Sequence, residues 1–212
     1  MIITFYGEGC FKIQSGDFIV STDPLDDKTG MTTPRFKSDV ILKTLTPFPI
    51  VNNQQSMVNG QLIHGPGEYN IKDVNITGFA LPKESSEKFL KTVYLMKMEG
   101  INLCFLGHIS ETPEPAIFEH LEEIDILFIP AGGEPFINQK SAGKTVKQTG
   151  PKIVIPSFYK IPGLKRTAGD ISIFFEEFNG EKTEQKEAQE KLVIKKKDFA
   201  GIKKTEIMIL KT

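Results

Sequence analysis

The sequence has little of three features that often define a function class: cysteine, histidine and an excess of charge of one sign. It contains two cysteines and three histidines in 212 residues, and 26 basic residues are balanced by 27 acidic ones. A chain close to neutrality has no overall field that would draw it onto nucleic acid or onto an anionic membrane. We therefore expect neither of these partners, and a function must be argued from individual sites.

The cysteines and the apolar segments also exclude some locations. Cys10 and Cys104 lie among apolar or small residues in strand-like segments, which predicts buried, reduced thiols rather than a disulfide framework. No segment approaches the roughly 18 consecutive apolar residues of a membrane span. The first residues, MIITFYGEGC, lack both the basic start and the apolar stretch of a signal peptide. These features predict a cytoplasmic protein.

The composition is that of an ordinary globular protein. Hydrophobic residues make up 39% of the chain and charged residues 25%, which is sufficient for one sizeable core. We expect residues 1–212 to form a single domain.

The first half of the sequence predicts short strands separated by turns that contain glycine. A hairpin is predicted across Glu99-Gly100, because two β-prone segments flank this pair. The predicted strands are residues 2–6, 11–14, 18–21, 40–43, 61–64, 68–71, 74–79, 93–98 and 101–106.

The second half predicts helices between buried strands. Apolar residues at helical spacing predict a helix over residues 115–124, and Asn138 is expected to open a helix over 138–148. Because strands are predicted on both sides of the second helix, at 126–129 and 152–155, a parallel crossover is expected. Residues 180–190 are polar and predict a solvated helix or loop, followed by strands at 191–195 and 206–210.

The end of the chain is rich in lysine. Its aromatic residues are too few for the stacking that a nucleic-acid patch needs, so we interpret the lysines as a charged, solvated strand edge.

Six fragments carry a resemblance to a known family. In this order they resemble the metallo-β-lactamase superfamily, and in particular the branch of ascorbate-6-phosphate lactonase-like hydrolases, which begin with a strand, a Gly-His-Ala-Cys-like turn and a strand that ends in Asp-Pro. The resemblance implies an α+β fold, a four-layer αββα sandwich. The fragments are residues 4–13 with 22–24 (TFYGEGCFKI and TDP), 39–44 (DVILKT), 65–69 (GPGEY), 106–107 (LG), 125–133 (DILFIPAGG) and 151–156 (PKIVIP).

The resemblance also implies where a metal centre should be. Active relatives hold two zinc, manganese or iron ions with a His-x-His-x-Asp-His loop, because these cations need imidazole and carboxylate donors. At the four ligand positions this sequence has Leu45, Pro47, Pro49 and Ile50, none of which has a donor atom. The bridging aspartate corresponds to His108 and the terminal histidine to Phe158, and residues 80–84 contain no histidine. We therefore predict no metal and no other cofactor.

A cleft could keep its shape after losing this chemistry. Seven residues would line it by the resemblance, and they would either bind a small molecule or a protein, or merely fill the vacated site. They are Thr44, Thr46, His64, Glu68, His108, Glu134 and Tyr159.

Other kinds of active site have weaker support. Ser110 and Glu111 are too close to His108 in sequence to form a Ser-His-acid triad easily, and no Gly-x-Ser-x-Gly elbow is present. Gly132-Gly133-Glu134 and the lysines Lys140 and Lys144 do not meet the phosphate-binding loop pattern.

Two functional hypotheses remain. The first is a non-catalytic binding or assembly protein, whose partner is an unknown small molecule or protein and whose self-association stays open. The second is a hydrolase of a phosphoester or lactone that uses a rearranged site around His108.

Overall fold

The computed structural model describes residues 1–49, 60–121, 123–178 and 183–212, and these residues form two β-sheets and three α-helices. Six of the described strands make the first sheet, in the order β14-β1-β2-β3-β4-β6. Hairpins join β1 to β2 and β2 to β3, whereas β3, β4 and β6 run parallel. The strands are β1 (Ile2–Gly7), β2 (Cys10–Ser15), β3 (Phe18–Thr22), β4 (Val40–Leu42), β6 (Gln61–Ile63) and β14 (Leu192–Val193).

The second sheet contains nine of the described strands, in the order β13-β15-β12-β11-β10-β9-β8-β7, with β5 paired to β9. Strands β7, β8, β9 and β10 pair antiparallel with one another. Strands β10, β11, β12, β15 and β13, in this order across the sheet, pair in parallel. The strands are β5 (Leu45–Pro47), β7 (Gly67–Ile71), β8 (Val74–Ala80), β9 (Phe89–Met98), β10 (Ile101–Phe105), β11 (Ile126–Pro130), β12 (Ile153–Ser157), β13 (Thr183–Gln185) and β15 (Thr205–Ile207).

Local turn and cap chemistry explains two predictions that the structure confirms. Glu99 and Gly100 join β9 to β10 with φ of 53° and 72°, the positive values that a two-residue hairpin turn needs. Strands β11 and β12 are parallel and are connected by α2 (Gln139–Thr149), whose first turn is capped by the Asn138 side chain accepting from the Ser141 amide at 2.9 Å. The crossover is therefore built as the sequence predicts.

Two predicted elements are wrong in detail. The helix expected over 115–124 is only α1 (Pro115–Phe118), although Ile117, Leu121 and Ile124 are all buried. Their spacing reflects burial and not a continued helix. The segment expected to be a solvated helix or loop, residues 180–190, contains β13, which pairs in parallel with β15. Residues 180–182 of that prediction lie outside the described ones.

Two hydrophobic cores hold the layers together. One lies between the two sheets and includes Phe5, Phe11 and Phe128; the other lies between the second sheet and the helices and includes Val146 and Phe174 from α2 and α3 (Ile171–Glu176). A segment without regular secondary structure packs on the first sheet through Phe36, whose ring centroid lies 5.3 Å from that of Tyr6. The fold is therefore mixed α+β with paired sheets, as expected.

The cysteines behave as the sequence predicts. Both thiols are buried and unpaired, and burial raises their pKa, that of Cys10 to about 12. Within the part of the chain that the structure describes, no helix has the length and apolar character needed to cross a bilayer.

Candidate functional site

A cavity of about 260 Å³ lies where strands of the two sheets end. The turn after β1 contributes to it, as do the segments that follow β3, β10 and β12, so that both sheets supply residues. Strand ends are common binding positions because they bring together loops held by a rigid scaffold. The side chains with functional groups or aromatic rings in its wall are Glu8, Asp23, Asp26, Thr29, Lys43, His108, Phe136, Phe158 and Arg166.

Thr44 joins the polar groups of this cavity. It lies between β4 and β5, where the chain crosses from the first sheet to the second. Its hydroxyl oxygen is 2.7 Å from Oδ2 of Asp23 and 2.7 Å from Nδ1 of His108, and its amide donates to Oδ1 of Asp23 at 2.8 Å. A Cβ at Gly107 would lie 2.1 Å from this hydroxyl oxygen, so only glycine fits there. The Leu106-Gly107 pair therefore makes room for Thr44.

Asp23 and His108, whose side chains are 10% and 20% exposed, have shifted pKa values. Burial raises the pKa of the Asp23 carboxyl, while His108, the two hydrogen bonds from Thr44 and the charge of Lys43 act in the opposite direction. Burial also lowers the pKa of His108, and nearby Lys91 and Arg166 lower it further, against Asp23 and Glu8, which raise it. A lowered pKa favours the neutral imidazole at physiological pH.

An ion pair closes one side of the cavity. Arg166 donates from Nε and from Nη2 to the two carboxylate oxygens of Glu8, at 2.7 and 2.6 Å, and from Nη2 to the Phe158 carbonyl at 2.7 Å. The fork geometry of the guanidinium suits such bidentate pairing. Glu8, Asp23 and Phe158 all have a positive φ, of 54°, 36° and 54°, which is uncommon outside glycine and concentrates at functional sites.

The aromatic rings form a continuous wall. The rings of Phe136 and Phe158 lie 4.3 Å apart, and the His108 ring meets Phe158 edge-on at 4.8 Å. The Arg166 guanidinium lies 4.9 Å from the Phe136 ring centre. A Cβ at Gly9 would lie 2.5 Å from the Phe158 ring, so this ring is packed directly against the backbone of the turn after β1.

Comparison with known proteins identifies the family. Residues 2–157 match the family model of the beta-lactamase superfamily domain. This chain belongs to the metallo-β-lactamase superfamily.

Solved structures of similar fold cover the same length. A proposed zinc-dependent hydrolase of the superfamily from Thermotoga maritima is 27% identical, with a TM-score of 0.77 and coverage of 99% of each chain. Igni18, a metallo hydrolase from Ignicoccus hospitalis, is 16% identical, with a TM-score of 0.63 over 100% of this chain and 96% of that one. A proposed metal-dependent hydrolase from Parabacteroides distasonis is 17% identical, with a TM-score of 0.59 over 99% and 93%. The last two show likeness of fold alone.

The described residues do not fit the metal centre of this superfamily. No three of their histidine, cysteine and acidic side chains are grouped so that they could hold an ion. Leu45 lines the cavity without a donor atom, both oxygens of Asp23 accept from Thr44, and the apolar ring of Phe158 stands where the resemblance implies a histidine. The position of Ile50 lies outside the described residues.

The structure brings together only some of the seven residues predicted to line a cleft. Thr44 and His108 are in contact, and the Thr46 hydroxyl donates to the His64 carbonyl at 3.3 Å. Glu68 is exposed on the edge strand β7, and Glu134 is exposed beside Pro135. Tyr159 is buried between the sheets, where its hydroxyl donates to the Leu210 carbonyl at 3.4 Å.

Glu8, Asp23, Phe136 and Arg166 are among the residues of the cavity wall that the sequence did not predict. Two of them had a signal in the sequence. Asp23 belongs to the Thr22-Asp23-Pro24 fragment that carries the resemblance. Glu8 occupies the position of the histidine in the Gly-His-Ala-Cys-like turn of the family. Phe136 and Arg166 lie outside all six fragments, so neither had such a signal.

Ser110 is engaged away from His108. Its hydroxyl donates to Oε2 of Glu84 at 2.8 Å and contacts the Lys91 ammonium, and Lys91 is paired with the same carboxylate oxygen at 2.9 Å. Glu84 also accepts from the amides of Ser110 and Glu111. The cluster fastens the loop after β10 to the turn after β8, and it does not form a Ser-His-acid triad.

Proposed function

We propose that this chain is a metal-free member of the superfamily that binds a small molecule in the cavity and does not turn it over. The observation that carries the proposal is the network centred on Thr44. A threonine hydroxyl occupies Oδ2 of Asp23 and Nδ1 of His108, two atoms that could otherwise bind a metal ion.

The shape of the site supports binding over assembly. The cavity is concave and lined by aromatic rings with a few polar groups, which is the usual composition of a small-molecule site. Its volume is below the roughly 300 to 1,000 Å³ of sites for drug-sized ligands, so a small ligand fits best.

The same geometry argues against nucleophilic catalysis. The hydroxyl of Thr44 contacts a histidine, as a nucleophile would, but the residue is only 1% exposed and cannot reach a substrate. Ser110 is hydrogen-bonded to Glu84 and contacts Lys91.

A hydrolase that uses His108 as a general base is the second candidate. Its support is that the ring lines the cavity, is oriented through Nδ1 by Thr44, and has a lowered pKa. A neutral, oriented imidazole is the usual general base near neutral pH.

Metal content and turnover test the proposal together. The protein is purified without a metal-binding tag, dialysed, and its metals are measured by elemental analysis before and after incubation with zinc or manganese. Hydrolysis of bis-p-nitrophenyl phosphate and of a simple lactone is then followed with and without chelator. We expect far less than one metal ion per chain and no turnover above buffer.

Two results would contradict the proposal in different ways. One bound ion per chain with chelator-sensitive turnover would make the chain an ordinary metal-dependent hydrolase. Chelator-resistant turnover that His108→Ala abolishes and His120→Ala preserves would favour the second candidate. His120 is a matched control because it is exposed and stacks on Phe79, 4.7 Å away.

A further inference from the structure

The hydrogen bonds of Thr44 can be assigned by counting donors. The hydroxyl has one proton, and its oxygen contacts both Asp23 and His108 at 2.7 Å. The Thr44 hydroxyl donates to Oδ2 of Asp23, so its single proton is used in that hydrogen bond. The amide of Thr44 donates to the other carboxylate oxygen. The Thr44 oxygen must then accept from the imidazole.

This assignment fixes the tautomer of His108. Its Nδ1 carries the proton and donates to Thr44, so Nε2 of a neutral ring is an acceptor. Of the residues that the structure describes, none hydrogen-bonds to Nε2, and the His108 side chain, one-fifth exposed, lines the cavity. Nε2 is thus the ring atom available to a ligand, and it requires a donor.

Charged groups in the wall interact with one another. Arg166 is satisfied by Glu8 and by the Phe158 carbonyl. Asp23 accepts twice from Thr44 and lies near Lys43, while Asp26 accepts from the amides of Lys28 and Thr29. A positively or negatively charged ligand would therefore meet both acidic and basic side chains, and these already interact with other groups of the protein. It would lose its hydration without gaining an ion pair of its own.

The remaining surface is aromatic. Phe136 and Phe158 flank His108, and aromatic rings favour stacked or edge-on contacts with another ring.

We propose that the cavity selects an uncharged aromatic molecule with an O–H or N–H group that donates to Nε2 of His108. The inference rests on the proposed binding function and adds the chemical class of the ligand.

Four one-ring probes test the class of ligand. Phenol has the donor, anisole has a methyl group in place of the donor hydrogen, and benzoate and benzylamine carry opposite charges. Binding is measured by NMR chemical-shift titration of the complete protein. Phenol is expected to shift signals of cavity residues and to bind about tenfold more tightly than anisole, the value of one hydrogen bond to a partly buried acceptor. Equal or tighter binding of benzoate or benzylamine would overturn the inference.

The variant Asp23→Asn tests the role of the tautomer. The Asn carbonyl oxygen can still accept from the Thr44 amide, but its NH2 group must donate to the Thr44 hydroxyl. Thr44 then donates to Nδ1, and the proton of His108 moves to Nε2. Nitrogen NMR shifts of the ring should report an Nδ1–H form in the unmodified protein and an Nε2–H form in the variant. The preference for phenol over anisole should fall to within about twofold, because Nε2 no longer needs a donor.

The NMR shifts of the unmodified protein keep the test decisive if the variant does not fold. An Nε2–H form of His108 at neutral pH would overturn the assignment without any variant. Failure of all four probes to bind would also overturn the inference, whereas the proposed function fails only through metal content and turnover.

Discussion

Thr44 connects an aspartate, a histidine and the crossing between the two sheets through one hydroxyl group. Thr44→Val keeps the shape but leaves Oδ2 of Asp23 and Nδ1 of His108 without this partner. We expect the free energy of unfolding to fall by about 2 kcal/mol, because unsatisfied buried polar groups are costly. Urea unfolding measures the loss.

Thr92 provides a matched control for this change. It is also 1% exposed, but no described group hydrogen-bonds to its hydroxyl. Thr92→Val should therefore change the free energy of unfolding by less than about 0.5 kcal/mol, or increase it. Similar losses in both variants would show that the Thr44 network contributes nothing specific.

Arg166 holds the turn after β1 against the turn after β12. Arg166→Met leaves the carboxylate of Glu8, a residue that is 8% exposed, without its cation. We expect a loss of about 3 kcal/mol in the free energy of unfolding, since removing one partner of a buried ion pair strands the other.

Two companion variants define the origin of that loss. Arg166→Lys keeps the charge but not the bidentate geometry, so an intermediate loss is expected. Adding Glu8→Gln to Arg166→Met should recover part of the stability. If Arg166→Met lowered the free energy of unfolding by less than about 1 kcal/mol, the Arg166–Glu8 pair would be no stronger than a surface ion pair.

The residues of the site were predictable only where they stand at positions of the known motif. His108 and Phe158 were singled out in that way. Tyr159 was expected beside them, but the positive φ of Phe158 turns the chain and directs Tyr159 into the core. Arg166 could not be predicted, because its contact with Glu8 joins residues 158 positions apart and has no local pattern.

At the scale of elements, α2 depends on its cap. Asn138→Ala removes the acceptor for the Ser141 amide and should lower the free energy of unfolding by about 1 kcal/mol. Asn138→Asp keeps an acceptor and should be close to neutral. Equal losses from the two variants, measured by urea unfolding, would show that the cap does not contribute.

Elements were predicted well where local chemistry decides them. The Glu99-Gly100 turn and the Asn138 cap act within a few residues, so their sequence is sufficient. The short strand β13 has the sequence TEQ, and its pairing with β15 at the sheet edge depends on distant residues. Polar edge strands carry no hydrophobic alternation, so composition could not reveal this one.

At the scale of the whole molecule, the cavity joins the two sheets. Thr44 lies where the chain leaves the first sheet, whereas His108 and Phe158 follow strands of the second. A ligand that contacts both sides would bind the folded chain and not the unfolded one, so it would stabilise the whole fold.

The largely enclosed ring of His108 makes the stability of the whole molecule depend on pH. Its folded pKa lies below the value of about 6.5 expected in the unfolded chain. As the pH falls below 6.5, the unfolded chain takes up a proton at this ring that the folded chain does not. The free energy of unfolding should therefore decrease as the pH falls, by at most about 1.4 kcal/mol per pH unit.

Asp23 acts in the opposite direction, because its pKa is raised in the folded state and the folded chain takes up that proton first. The two effects separate when unfolding in urea is measured from pH 7.5 to 5.5 for the unmodified protein and for His108→Gln. The variant lacks the titrating ring, so its free energy of unfolding should fall less steeply or rise as the pH is lowered. An identical slope in both proteins would contradict a lowered pKa at His108, because linkage requires the slope to change when the group responsible is removed.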